Sequence, residues 1–137
     1  MASPELEQML AEANVAVLAS VDTKGRAHAA PIWYLYENGE FLISTGRGSQ
    51  KHKNIEAIPD VTLVIDRRDL PYLAAMVRGK ATIDGAFSDE KRLELAVRYL
   101  GDEMGRRYVE STDGGSSVTI RLKPEKVIEF NGRAGRD

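Results

Sequence analysis

Between the apolar segments "IWYLY" and "FLIST" the chain places Asn38-Gly39, flanked by Glu37 and Glu40. An Asn-Gly pair between two such runs is the strongest short-range hairpin signal, because both residues tolerate the positive φ of a type I′ turn. The two strands it joins, "RAHAAPIWYLYE" (26–37) and "EFLISTG" (40–46), must then be antiparallel neighbours. Pro31 lies inside the first of them, where it has no N–H to give a ladder. The strand therefore runs at an edge, at a bulge or where the sheet opens.

The other segments extend this antiparallel pattern. Ser3 can cap a first helix with Pro4 at its first position and Glu5 and Glu7 in the favourable early turn. Leu6, Met9, Leu10 and Ala13 recur at helical spacing. "VAVLASVD" (15–22) switches to strand character, and "TKG" (23–25) is turn chemistry. "VTLVIDR" (61–67) and "LAAMVRGKATID" (73–84) are two further strands, the second with Gly79 at a bulge or a close backbone approach. "SDEKRLELAVRYLG" (88–101) is an amphipathic helix capped by Ser88, with Leu93, Ala96, Val97 and Leu100 as its inner stripe. After the loop "DGGSS" (113–117), "VTIRL" (118–122) and "KVIEF" (126–130) make a last strand bent at Pro124. About six hairpin-linked strands in a chain this small close most readily into a barrel. The expectation is a mainly β fold, with one domain over residues 1–130 and a mobile tail, "NGRAGRD", over 131–137.

Composition removes several function classes. A chain of 137 residues suits one domain, and its net charge of −2 gives no global field for nucleic acid or an anionic membrane. Cysteine is absent, so there is no disulfide, thiolate metal site or Cys nucleophile. The acidic N-terminus lacks the features of a signal peptide, and no apolar run is long enough for a bilayer, so a cytoplasmic protein is expected. His28 and His52 sit on different elements without carboxylates at metal-ligand spacing, so no metal site is expected. No G-x-S-x-G elbow is present either, which leaves any catalysis to a borrowed cofactor.

"GRGSQKHKN" (46–54) stands out in this acidic chain: Arg47, Lys51 and Lys53 with no acid, at a strand-to-helix turn. It fits neither a Walker loop nor G-x-G-x-x-G, since Lys51 occupies the third glycine's place. With Ser49 as N-cap, the first-turn amides and the positive end of the helix dipole face the end of the preceding strand, where anions bind well. Lys51 would reach the same anion, flanked by Lys53 and Arg47, with Thr45 and Ser49 adding hydroxyls. A solvated basic turn is the competing reading. Strand alternation puts Ile32, Tyr34 and Tyr36 on one face, and Trp33 and Leu35 on the other. Trp33 is then either core, dimer interface or a platform for a ring.

The run "GRAHAAPIWYLYENGEFLISTGRGSQKHKNIEAIPDVTLVID", continued by "MVRGKATI" and the helix after it, resembles the pyridoxamine-phosphate-oxidase-like split-barrel superfamily. That resemblance implies a six-stranded antiparallel split β-barrel of the FMN-binding type with flanking helices, a homodimer, and a flavin-type cofactor at the subunit interface. The family's phosphate-binding strand end and helix start correspond to Ser44-Thr45 and Ser49-Gln50-Lys51. Gln50 stands where the flavin oxidases often have arginine, and Ala30 to Leu35 lack both basic residues of their strand-two clamp. Ala74 replaces their glutamine, and their C-terminal segment for pyridoxal phosphate is missing. Pro31 to Tyr34, together with Lys51, Lys53, Asn54 and Ile55, resembles the branch that uses the deazaflavin coenzyme F-420.

The resemblance thus implies an F-420-dependent reductase acting on an unsaturated or conjugated organic substrate. Its cofactor-binding residues would be Pro31, Ile32, Trp33, Thr45, Arg47, Ser49, Gln50, Lys51, Lys53 and Asn54. No residue is marked as proton donor. The alternatives are an FMN-dependent oxidoreductase and a non-catalytic flavin or tetrapyrrole carrier. A barrel for single-stranded nucleic acid is disfavoured by the acidic total and the lack of a wider basic stripe.

Overall fold

The computed structural model describes residues 2–131. Along the chain run α1 (Pro4–Leu10), β1 (Ala16–Val21), β2 (Ala27–Ile32), β3 (Leu35–Glu37), β4 (Glu40–Gly46) and α2 (Gln50–Ala57). They are followed by β5 (Asp60–Arg67), β6 (Leu73–Asp84), α3 (Asp89–Leu100), α4 (Asp102–Ser111) and β7 (Ser117–Asn131). Asn38 and Gly39 take φ of 54° and 74°. Glu37 faces Glu40 across them, so the hairpin forms where the dipeptide requires it.

The strands form one antiparallel sheet in the order β2-β1-β5-β6-β7-β4-β3. Its two edges, β2 and β3, are consecutive in the chain and separated only by Trp33 and Tyr34. The step from Ile32 to Leu35 spans at most about 11 Å, so the sheet must curl until its edges meet at that seam. The mainly β split barrel with flanking helices is therefore the fold this chain adopts.

The described residues contain seven strands rather than six, because the segment 26–37 divides. Pro31 has no amide to donate. Just beyond it the Tyr34 N–H leaves the ladder and donates to Tyr99 Oη at 3.1 Å, on α3. Side-chain alternation survives the break. Ile32, Tyr34 and Tyr36 pack with the main core, while Leu35 packs under Phe87 with Leu42. The buried Tyr34 hydroxyl donates to Leu10 O at 2.9 Å, and burial pushes its pKa well above the usual tyrosine value.

Leu6, Met9 and Leu10 of α1 are fully buried against the barrel core, whereas Ala13 lies beyond the helix and is exposed. On the β1–β2 turn, Asp22 accepts from the Lys24 and Arg26 amides, and from Arg26 Nε. The His28 ring at 2.9 Å is the largest influence holding this carboxyl well below the usual carboxylate range.

Gly79 marks a register shift between β6 and β7, opposite Pro124. A Cβ there would stand 2.3 Å from the carbonyl oxygen of Lys123, a backbone atom with no room to retreat. Gly79→Ala is expected to destabilise the fold by roughly 1–3 kcal/mol, the usual cost of overpacking. Urea unfolding would show this as a lower midpoint at an unchanged slope. A wild-type midpoint would mean that the bulge tolerates a side chain.

Two boundaries differ from the sequence reading. The helix at 88–101 is followed, after Gly101 at φ 87°, by α4, a second helix beyond the elements expected from sequence. Most of α4 is exposed and polar, which hides its pattern. Its close contact with α3 runs through Gly105, where a Cβ would lie 2.7 Å from Val97 N. Of the expected inner stripe of α3 only Ala96 is fully buried. At the C-terminus Asn131 ends β7 rather than opening a tail, and residues 132–137 lie outside the described residues.

Candidate functional site

The turn from β4 into α2 is built from its own short side chains. Ser49 caps α2, its Oγ accepting the His52 amide at 3.3 Å, and its own amide donates to Gly46 O at 3.0 Å. Thr45 Oγ1 lies 3.0 Å from Ser49 Oγ, tying the strand end to the helix start. Gly48 turns the chain at φ 81°, a conformation that disfavours side chains. Its amide donates to Nδ1 of the buried His52 at 2.9 Å. The next two amides, of Gln50 and Lys51, belong to the part of a helix that has no internal acceptor. The Arg47 amide donates to Ser116 O at 2.8 Å, which joins this turn to the loop before β7.

Beside the turn lies a cleft of about 540 Å³, within the range of small-molecule sites. One wall comes from the seam and β4: Pro31, Ile32, Trp33, Ser44, Thr45 and Gly46, with Lys51 from α2. The opposite wall comes from α3, α4 and the following loop, through Arg92, Ala96, Tyr108, Thr112 and Ser116. Of the residues singled out from sequence, Pro31, Ile32, Trp33, Thr45 and Lys51 share this cleft. Arg47 and Lys53 are exposed and lie outside its lining. Gln50 and Asn54 turn elsewhere. Gln50 Nε2 donates to Asn54 Oδ1 at 2.7 Å, and the buried Asn54 donates to Ser20 Oγ at 3.0 Å, bracing α2 on β1.

Trp33 already has a stacking partner on one side, the Tyr99 ring at 4.7 Å and 3°. Tyr108 meets it at 6.3 Å and a tilt of 53°. Tyr99 is itself fixed, its hydroxyl donating to Asn14 O at 2.9 Å. The indole is thus held rigidly at the mouth of the seam.

Arg92 and Tyr108 are cleft residues that no motif announced. Arg92 donates to Thr112 O at 3.1 Å and Thr112 Oγ1 at 2.9 Å. Gly114 lies against its guanidinium, where a Cβ would stand 2.3 Å from Nε. The loop "DGGSS" is therefore folded over an arginine, with Gly114 at the point of contact.

The cleft combines a cation, two free helix-start amides and several hydroxyls at one end with an aromatic and apolar wall at the other. Such a site suits a molecule that carries both an anion and a planar ring. Among the described residues no group of three or more His, Cys, Asp or Glu is placed to hold a metal ion, and no helix is long and apolar enough to cross a membrane.

Comparison with known proteins agrees with this architecture. An F-420 reductase superposes with a TM-score of 0.76 at 25% identity, over 89% of this chain and 94% of that one. The conserved hypothetical protein Rv2991 from Mycobacterium tuberculosis gives a TM-score of 0.78 at 20% identity, over 100% of this chain and 89% of the other. The General Stress Protein 26 from Bacillus anthracis gives 0.69 at 19% identity, over 92% and 91%. None of the curated proteins matches in sequence. The family described as pyridoxamine 5'-phosphate oxidase matches residues 2–131, and the chain belongs to that family.

Proposed function

We propose that this protein is a reductase that binds coenzyme F-420 in the β4–α2 cleft and acts on an unsaturated or conjugated organic substrate. The observation that carries the reading is the convergence of Lys51 and the capped start of α2 with Pro31, Ile32 and Trp33 around one cleft. The residues present fit the group. Its phosphodiester would be held by Lys51, the Gln50 and Lys51 amides, and the Thr45 and Ser49 hydroxyls. Arg47 and Lys53, exposed on the turn and on α2, suit the polyglutamate tail, which needs several cations along an open surface rather than one tight clamp. Pro31, Ile32 and Trp33 would flank the ring, with Gln50 and Asn54 keeping α2 in place. Bound and reduced, the coenzyme supplies a hydride. The similarity to an F-420 reductase supports this choice over FMN.

We infer further that the protein is a cytoplasmic homodimer that binds neither nucleic acid nor membrane. A cross-strand row of apolar residues runs over the outer face of the sheet: Pro31 beside Val17, Val17 beside Val64, Val64 beside Met76, and Met76 beside Ile128. Val17 and Val64 are about two-fifths exposed, at 39% and 41%. Pro31 belongs both to this row and to the cleft, so a second copy seated on the row would reach the edge of the site.

Titration of the purified protein with F-420 and with FMN, followed by cofactor fluorescence, tests the reading. Binding of F-420 well below the millimolar range and tighter than FMN is expected. The reverse order would favour an FMN-dependent oxidoreductase, and binding of neither would end both. A carrier would bind but reduce no member of a panel of conjugated acceptors.

A further inference from the structure

We propose that His52, in its neutral Nε2–H form, is the positioning residue of the β4–α2 anion loop, and that protonating its ring releases the loop and weakens the grip on a phosphate. This rests on the reading of that loop as the holder of the cofactor phosphate. The ring is buried, at 7% exposure, directly behind the turn that faces the cleft. Its Nδ1 accepts the Gly48 amide at 2.9 Å, so Nδ1 carries a lone pair and the proton sits on Nε2. That second nitrogen lies 3.3 Å from Glu56 Oε2, one helical turn on.

The bond to Gly48 sets the loop in the conformation the anion needs. Gly48 is held at φ 81° between the Gly46 carbonyl, which accepts from Ser49, and the N-cap itself. The His52 amide in turn completes the cap on Ser49 Oγ. One residue thus satisfies the loop through its side chain and the cap through its backbone. The amides of Gln50 and Lys51, and the Thr45–Ser49 hydroxyl pair, are left presented together. If Nδ1 gains a proton, two donors face each other, and Gly48 must turn away or lose its partner inside a partly buried turn.

Glu56 is the ionisable side chain that meets the ring. The strands packed on α2 turn inward Ser20 from β1, Thr45 from β4, and Val77 and Ala81 from β6, none of them ionisable. Lys51 and Lys53 flank His52 in sequence on α2 itself.

Three variants test this, with affinity for F-420 read by calorimetry from about pH 8 to about pH 5. The wild type should lose affinity as pH falls. His52→Asn places Oδ1 where Nδ1 was, so it should keep affinity within about threefold at pH 8 and show no such loss. His52→Ala removes the acceptor and should bind roughly three- to tenfold more weakly at pH 8. Thermal melts accompany each, and the asparagine variant carries the test if the alanine variant fails to fold. A pH dependence that persists in His52→Asn, or wild-type affinity in His52→Ala, overturns the proposal. Lys51→Ala separates the two layers. If it weakens binding while His52→Ala does not, the role of His52 fails alone. If neither matters, the loop is not the phosphate site and both readings fall.

Discussion

Lys51→Ala is expected to bind F-420 ten- to over a hundredfold more weakly than the wild type, with little change in stability. Among the described residues the Lys51 ammonium enters no ion pair or hydrogen bond, although it lines the cleft beside the start of α2. A cation left without a protein partner at a helix start does little for the fold, so its removal should cost no more than about 0.5 kcal/mol of stability. Toward a bound phosphate the same group makes a charge-assisted contact worth roughly 1.5–3 kcal/mol. That range converts to the stated loss of affinity. Lys51 is only half-buried, so raising the salt concentration should shrink the difference between wild type and variant. Arg47→Ala and Lys53→Ala, at exposed positions, should each cost less. An unchanged dissociation constant in Lys51→Ala would remove it from the site.

The hairpin, the α2 cap and the bulge were readable in the sequence because each rests on chemistry local to a few residues. Asn38-Gly39 sets its own turn, Ser49 its own cap, and Gly79 its own crowding against Lys123. The division of 26–37 was half legible. Pro31 marked a sheet opening, but the destination of the Tyr34 amide depends on Tyr99, which lies far away in sequence. The helix α4 was not legible, since its large apolar residues, Met104 and Tyr108, stay exposed and its anchor is a glycine.

The site divides along the same line. Five of the residues expected to bind cofactor share the cleft: Thr45 and Lys51 because strand end, turn and helix start are contiguous in the chain, and Pro31, Ile32 and Trp33 because the seam between β2 and β3 lies beside them. Asn54 matched its motif yet points into the protein, where a bond to Ser20 is available. A motif records the residue type and not the direction of its side chain. Arg92 and Tyr108 stayed hidden because only tertiary packing brings α3 and α4 opposite β4.

Val64→Asp is expected to convert the protein from dimer to monomer at micromolar concentration. Val64 sits at the middle of the cross-strand row, between Val17 and Met76, and 41% of it faces outward. In a two-fold dimer each patch meets its own copy, so one substitution acts twice. Burying an unpaired carboxylate costs several kcal/mol, so two copies forfeit roughly 6 kcal/mol or more, at least about ten-thousandfold in dissociation constant. The fold should survive, because Val64 points away from the core and its strand neighbours Leu63 and Ile65 hold β5 in place. Light scattering after size exclusion should place the wild type at twice the 15.1 kDa chain mass and the variant at that mass. Thr82→Asp, exposed farther along the outward face of β6 and opposite Arg121, should leave the dimer intact. Because Pro31 ends the row and also lines the cleft, the monomer should bind F-420 more weakly even though Lys51 and Ser49 are untouched. A monomer with wild-type affinity would show that the site is complete within one chain, and a dimeric Val64→Asp would show that the row is not the interface.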